Sequence, residues 1–561
     1  MQATMSKSTT KLFTNQGTFY QYAGEEGENP YYKPLGDVDN FTISLLKHKK
    51  TAGTAGSNNS SVEYLIVVAE DGENVFEQPI GVDLQLSYSA PTASVHWPAL
   101  IDEELETVAF RFTVPAAHVA QVTAQLRMEK FVELYNRCTY SLLVGHEEVD
   151  PEDEWYQYLG AAATHEISNE DVTESVFEFD SSQLEKESTG SGNICAAESL
   201  QFRRVLVVKK GNEEASLELQ ALPQTERGFD RAAMENLVVH DVDSTSTGAL
   251  LENGDITMLM FGGESASVQQ LDLMRGTVVQ EYKPADLPVR SVTYANHTAS
   301  NSGSVYTCLS RNIALNIDVR MDPRNCVVVE DGKQPTDYAL SSLRTDFTCH
   351  ATSQNGYLVI GDGSGNIRLY TGPPGARKPS GGHFPKTAKT LLDTKTPIVD
   401  IDVTADGQYI VATSTSFLLF IETKYVDNNN KESTGFDTRM GAKKPQPIVL
   451  QPSPEQTLRM GGPRMVHFQS AKFDRFPGTK ELCVTASCGD YLLTWSLHVI
   501  ESSQRNGRSV VNSAVAVGQT VLSTYANRAS HVGFLTDNGV GDIPLHEAKK
   551  EVSRTWTWGT E

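Results

Sequence analysis

The chain has 561 residues, with 71 acidic against 47 basic side chains and a net charge of −24. That length exceeds what one core fills, so two or three domains are expected. An acidic chain excludes general nucleic-acid binding, which needs a basic surface. The charge is concentrated: residues 141–200 hold fifteen acidic and one basic side chain, while residues 201–561 hold thirty-nine and thirty-six. Seven scattered cysteines with no C-x-x-C pair fit small buried apolar residues in a reducing compartment rather than disulfides or zinc. The opening "MQATMSKSTTKLF" lacks an apolar h-region and no run approaches 18 apolar residues, so a soluble, intracellular protein is expected.

Residues 10–140 read as short strands followed by one helix. "NFTISLLKH", "SVEYLIVVAE", "VDLQLSYS" and "TVAFRFTV" are rich in β-branched and aromatic residues and separated by turn clusters. Pro115 suits a first helical turn, and Ala117, Ala120, Ala124, Met128, Phe131, Val132 and Tyr135 then share one helical face. Strands capped by one amphipathic helix describe a pleckstrin-homology-like α+β domain, with a generic α+β domain as the alternative. Within it "KHKK" ends an expected strand before a "TAGTAGSNNSS" loop. Lys47, Lys49 and Lys50 are candidate ligands for an anionic lipid, because clustered ammonium groups offer several donors to one anion. The excess of acids in residues 1–140, seventeen to ten, opposes that membrane association.

Residues 141–199 are acidic, Ser/Gly-rich and without apolar periodicity, the composition of a flexible linker. "ESVFEFD" within it alternates acids with Val176, Phe177 and Phe179, the pattern of a short binding motif.

From 200 to 545 the chain repeats itself. "PIVDIDVTADGQYIVATSTSFLLFIET", residues 397–423, reads strand, Asp406-Gly407 turn, strand, Ser/Thr turn, strand. Comparable third strands end on Leu271-Asp272, Ile317-Asp318, Tyr370-Thr371, Ile421-Glu422 and Trp495-Ser496. Spacings near the ~40–50 residues of propeller blades make this a mostly β chain with a C-terminal β-propeller, expected to have seven blades. "GDGSG", residues 361–365, occupies the place between second and third strands. Its glycines are at the wrong spacing for a dinucleotide loop and "NIRLY" continues as a strand, so it is a hairpin turn.

With these elements in place, "GYLVIGDGSGNIRLYTG", "TPIVDIDVTADGQYIVATSTSFLLFIET", "LDLMRGTVVQEYK", "GTFYQYAG" and "VVAEDGENVFEQPIG" together resemble the vacuolar import and degradation twenty-seven family and its plant counterparts. The resemblance covers most of the chain and is strongest over residues 255–425. It implies a pleckstrin-homology-like domain, an acidic connector and a C-terminal propeller, with no known catalysis. It also implies a link to a degradation pathway and, through plant relatives, to the small GTPase Ran.

The residues themselves show no catalytic constellation, no metal site and no cofactor motif: H-E-x-x-H and G-x-S-x-G are both absent. Cys349 and His350 are adjacent on an expected strand and so face opposite ways. An enzyme would need carboxylates converging in the central channel, or a metal there. Bases instead gather in the loops joining third to fourth strands, which emerge at one end of the ring. They are Arg275; Arg320 and Arg324; Arg377, Lys378 and Lys386; Lys424, Lys431, Arg439, Lys443 and Lys444; and Arg505 and Arg508. Such a face steers an acidic protein segment, either a partner's or the chain's own "EEVDPEDE" at 147–154. The tail, 546–561, carries Trp556 and Trp558 on alternate positions and is expected to dock on the propeller as a strand. The expectation is a non-enzymatic adaptor of the cytoplasm, the nucleus being a second compartment. A lipid-binding trafficking component is the alternative.

Overall fold

The computed structural model describes residues 6–26, 29–37, 39–51, 60–81, 84, 86–101, 104–113, 120–145, 149, 156, 164–166, 176–178, 192–199, 203–213, 215–225, 228–229, 234–252, 256–295, 304–330, 334–335, 337–339, 346–375, 384–426, 430–444, 447–452, 454–474, 483–506, 512–528, 531–544 and 557–558. The front part is one antiparallel sheet wrapped around a core. Its long first strand, Ser6–Glu26, pairs with Phe41–Thr51 along its first half. Along its second half it pairs with Glu104–Phe112 and Asn29–Pro34. The inward set alternates, as in Phe41, Ile43 and Leu45, all buried, because side chains on a strand repeat with period two. Helix α1 (Ala120–Val144) closes this core with Ala124, Met128, Phe131, Val132 and Tyr135, the face expected from their spacing. Phe131 meets Phe13 edge-on at 5.5 Å and Phe112 at 5.7 Å, and the Tyr135 hydroxyl donates to the Leu84 carbonyl at 2.6 Å. Ala117 lies outside the described residues, as does the side chain of Ala120.

The rest of the described chain forms consecutive antiparallel groups of strands. The first group holds Asn193–Ser199, Arg204–Lys210, Ser216–Thr225 and Glu235–His240. Five further four-stranded groups follow, and the last has Val521–Arg528, His531–Thr536 and Val540–Pro544. The leading strands of the seven groups, counted among the described residues, touch in a closed cycle. They are Asn193–Ser199, Gly248–Glu252, Ser291–Tyr294, Phe347–Thr352, Asp400–Val403, Phe468–Phe473 and Val521–Arg528, the last meeting the first. At the seam the Asn193 amide donates to the carbonyls of Thr536 at 2.8 Å and Gly539 at 3.3 Å. The residues that end the third strands, Leu271, Ile317, Tyr370, Ile421 and Trp495, are all buried between neighbouring groups.

Three expectations are corrected, through four pairings. The ring begins at Asn193, inside the stretch read as linker, because "NICAAES" builds an inner strand from small residues that carry no apolar periodicity. Two more linker segments are strands: Thr164–Glu166 pairs parallel with Leu86–Ser89, and Val176–Glu178 pairs parallel with Ser513–Ala516 on the outer edge of the sixth group. The tail corrects the third expectation. Thr557–Trp558 pairs with Tyr31 and Tyr32 of the front sheet, and not with the propeller. Open strand edges offer unpaired backbone groups to any extended segment, whatever its side chains.

The glycine cluster at 361–365 is a hairpin turn between Leu358–Asp362 and Asn366–Tyr370. Gly365 has φ +89°, and a Cβ there would lie 2.6 Å from the Thr396 nitrogen and 2.7 Å from its oxygen. Gly365→Ala therefore pays left-handed strain and a backbone clash together. We expect a loss of about 2 kcal/mol or more, read as a lower urea midpoint. A midpoint equal to wild type would show that the turn relaxes freely.

Candidate functional site

In the ring, alternate loops emerge at opposite ends, so the loops from third to fourth strand share one end. Two of them are built on the carboxylate that ends the third strand. The Asp272 carboxylate accepts from the backbone nitrogens of Met274 at 2.9 Å and Arg275 at 3.1 Å, and Asp318 accepts from that of Arg320 at 3.0 Å. The same carboxylates hold the bases. The Arg275 guanidinium lies 3.6 Å from Asp272, and Arg320 grips Asp318 through two nitrogens at 2.9 and 2.6 Å. The Arg320 hydrogen bonds hold the Asp318 carboxyl below its usual range. Charge paired within its own loop contributes little field at a distance.

The fifth group's connection carries the most bases. Its third-to-fourth connection carries a small hairpin, Lys424–Val426 with Glu432–Thr434, and a 3-10 turn at Gly441–Lys443. Five bases sit in this insertion, Lys424, Lys431, Arg439, Lys443 and Lys444, against the acids Asp427, Glu432 and Asp437. Lys424, Lys431, Arg439 and Lys443 are exposed and Lys444 is half-buried. Lys424 Nζ donates to the Gln408 side-chain oxygen at 2.8 Å and Lys443 Nζ to the Val426 carbonyl at 3.0 Å, while Glu422 also feels the Lys424 charge. Phe436 anchors the hairpin by stacking on Tyr357 at 4.6 Å. Arg324 and Lys386 are exposed in their own loops. Arg377, Lys378 and Arg508, and the side chain of Arg505, lie outside the described residues. So does the acidic run 147–154, apart from Val149, which packs against the core shared by the fourth and fifth groups.

The "KHKK" run closes its strand, as expected. Phe41–Thr51 continues through it, paired on both sides, and His48 is buried between the half-buried Lys47 and Lys49. The Lys47 ammonium lies 6.0 Å above the Tyr64 ring. The side chain of Lys50 lies outside the described residues. Strand alternation thus interleaves a buried imidazole with the ammonium groups expected to act together.

Sequence reasoning missed the ring's centre. A cavity of about 280 Å³ is lined from every group: Glu198, Leu250, Thr293, His350, Asp402, Lys472 and Tyr525 come one from each. Lys472 Nζ lies 2.8 and 2.9 Å from the two Asp400 carboxylate oxygens, and the Asp402 carboxylate accepts from the Phe473 nitrogen at 3.0 Å. Burial raises the Asp400 carboxyl, while the two aspartates together hold the Lys472 ammonium above its usual range. His350 Nε2 lies 3.1 Å from the Thr307 carbonyl, and burial lowers its pKa to about 4. Burial pushes the adjacent Cys349 thiol up to about 12, so neither group is an activated nucleophile or its base. Among the described residues no three His, Cys, Asp or Glu side chains come together to hold a metal ion. The readable signal was the paired acids of "IVDIDV" and the lysine inside "QSAKFD", both unusual on inner strands.

A closed ring of antiparallel strand groups whose third strands end on buried apolar residues and turn-capping acids defines a WD40-like β-propeller. The VID27 C-terminal WD40-like domain matches residues 232–517, just over half of the chain, and the chain belongs to the VID27 family. Vacuolar import and degradation protein 27 of Schizosaccharomyces pombe is 30% identical over 278 residues, covering 48% of this chain and 32% of that protein. Its Saccharomyces cerevisiae counterpart is 24% identical over 302 residues, covering 52% and 35%. The matched stretch thus spans about a third of the length of these relatives. Among solved structures, the Cps50 (Swd1) β-propeller domain of Myceliophteria thermophila has a TM-score of 0.41 at 10% identity, covering 64% of this chain and 97% of that one. Kuenenia stuttgartiensis hydrazine synthase has a TM-score of 0.44 at 12% identity, with the same coverage.

Proposed function

We propose that this protein is a non-enzymatic scaffold whose propeller engages an acidic segment of a protein partner through the third-to-fourth loops, chiefly the insertion of the fifth group. The family supports an interaction role linked to vacuolar import and degradation. One observation carries the finer reading: five bases outnumber three acids in a single hairpin insertion anchored by Phe436. The front domain, a strand series closed by one helix, is on this reading pleckstrin-homology-like and supplies a second docking surface. Its neighbouring strands Ser94–Ile101 and Glu104–Phe112 touch the helix Pro454–Arg459, which follows the fifth group's last strand and so belongs to the end away from the basic loops.

The reading is tested by Lys424→Glu/Lys443→Glu/Lys444→Glu in the full chain. Partner recovery in affinity purification falls roughly tenfold at low salt, and the remaining binding loses its salt dependence, because rim charges act through long-range steering that ions screen. The melting temperature stays within about 2 °C, as expected where two side chains are exposed and the third, Lys444, is only half-buried. A small GTPase and an acidic peptide are the partners to assay first. Unchanged recovery at both salt concentrations would sink this reading.

A further inference from the structure

The end of the ring that carries the basic loops is also apolar. Met274 is 82% exposed, Ile256 50%, Val426 49% and Met321 43%. All four belong to first-to-second or third-to-fourth connections, which emerge together. Met274 precedes Arg275, and Met321 follows Arg320. The Leu273 nitrogen donates to the Ile256 carbonyl at 2.9 Å, which sets Ile256 against the Met274 turn. Lys424 and Val426 lie two apart on one strand with the half-buried Tyr425 between them, so base and apolar side chain share a face. Exposed apolar residues scattered singly need no explanation, but four gathered at one end of a rigid ring mark an interaction surface.

The two methionines are held out on fixed turns. The Asp272 carboxylate accepts from the Met274 and Arg275 nitrogens, and the Asp272 carbonyl accepts from the Gly276 nitrogen at 2.9 Å. The Met321 nitrogen donates to the Asp318 carbonyl at 3.1 Å, and the Asp322 side chain accepts from the Arg324 nitrogen at 2.9 Å to cap the 3-10 turn that follows. A turn ordered beforehand gives up little freedom on binding, and methionine adapts its shape to the apolar group it meets. In the second and third groups Asp272 and Asp318 already hold the arginines, so these turns add apolar area more than free charge. The fifth group's insertion adds the charge, five bases against three acids. A purely acidic segment would leave both methionines in water, and a purely apolar one would leave the bases unmatched. A segment that interleaves acids with large apolar side chains uses both, and ten extended residues reach about 33 Å, so one segment can touch loops of more than one group.

We propose, on the reading of this end as the site for an acidic protein segment, that the segment it binds also carries large apolar residues. Met274, Ile256 and Met321 make the apolar contacts, and the lysines of the fifth group make the charged ones.

The full chain is titrated with two blocked, fluorescein-labelled peptides, and binding is followed by anisotropy. One is Gly-Glu-Asp-Phe-Glu-Glu-Leu-Asp-Ser-Phe-Glu-Gly, and the other has serine in place of each Phe and Leu. The apolar-bearing peptide is expected to bind at least tenfold more tightly. Met274→Ser/Met321→Ser weakens that peptide about tenfold and leaves the serine peptide unchanged, and the melting temperature holds because both side chains are exposed. Lys424→Glu/Lys443→Glu/Lys444→Glu weakens both peptides. Equal binding of the two peptides, or a methionine variant that binds the apolar-bearing peptide as wild type does, overturns the apolar requirement and leaves the basic-loop reading standing. A triple charge variant that binds both peptides as wild type does overturns the basic-loop reading, and this proposal with it. No binding of the apolar-bearing peptide to the wild-type chain overturns the proposal as well.

Discussion

Asp362→Ala lowers the unfolding free energy of the full chain by about 3–5 kcal/mol in urea or thermal melts, one of the two largest single-residue losses expected in the propeller. The carboxylate is fully buried and does two things at once. It caps the 361–365 turn by accepting from the backbone nitrogens of Ser364 and Asn366, each at 2.9 Å, and from the Asn366 side chain. It also pairs with the guanidinium of Arg368, whose side chain is 13% exposed and lies 5.6 Å over the Phe347 ring. Truncation strands a mostly buried guanidinium and uncaps the turn, and a charge left without its partner costs more than the pair ever contributed. Arg368→Met leaves the carboxylate with its turn donors, so it costs less than Asp362→Ala. Asp362→Asn/Arg368→Met recovers part of the loss, because it removes both charges and keeps an oxygen in the turn. An Asp362→Ala melt within about 1 kcal/mol of wild type would mean that water reaches the guanidinium and that the pair is not what holds the hairpin.

This ion pair also marks what could be read ahead of the structure. The hairpin around it was legible, because Gly-Asp-Gly-Ser-Gly between two apolar β-branched runs is a local signal that needs no distant partner. The same holds for the face of α1, where Met128, Phe131 and Tyr135 recur at helical spacing. The buried pair was not legible, since Asp362 and Arg368 become neighbours only when the turn folds them onto one face. The strands at Thr164–Glu166, Val176–Glu178 and Thr557–Trp558 fail for a related reason. Each is short and finds its place by backbone pairing to an edge far away in the chain, which leaves almost no trace in side-chain pattern.

The candidate sites divide along the same line. Counting strands was enough to put the basic loops at one end of the ring, but not to see that Asp272 and Asp318 hold Arg275 and Arg320 within their own turns. The number of bases, five against three acids, is what separates the fifth group's insertion from the rest. The central cavity had no linear motif. Its polar side chains come from Glu198 to Tyr525, one or two from six of the seven leading strands, and only ring closure brings them together. A carboxylate on an otherwise apolar inner strand, as at Asp400 and Asp402, is costly to bury without a partner, and that cost was the one clue available.

Trp495→Ala is expected to cost about 3–5 kcal/mol, as the loss of a large, fully enclosed aromatic side chain does when its surroundings cannot collapse. The ring packs among Phe468, Leu450, Leu493 and Ile500, between the fifth and sixth groups, with the Phe468 ring centroid 6.3 Å away. Trp495→Phe behaves differently. The indole Nε1–H is buried and finds no acceptor among the described residues, so phenylalanine loses area but also removes an unsatisfied donor. The two effects are of similar size, and Trp495→Phe should melt within about 1.5 kcal/mol of wild type. The consequences run outward through the sixth group. Its third strand, Tyr491–Ser496, leads into the helix Leu497–Asn506 and pairs with Ser513–Ala516, the strand that carries the linker segment Val176–Glu178. A cavity at Trp495 therefore loosens the edge on which the linker is held. Limited proteolysis of Trp495→Ala should cut between residues 166 and 193 faster than in wild type, while Trp495→Phe keeps the wild-type rate. Equal cleavage in all three proteins would show that the linker strand holds independently of the sixth group's core, and equal melts for the alanine and phenylalanine variants would show that filling the aromatic volume is not what stabilises this site.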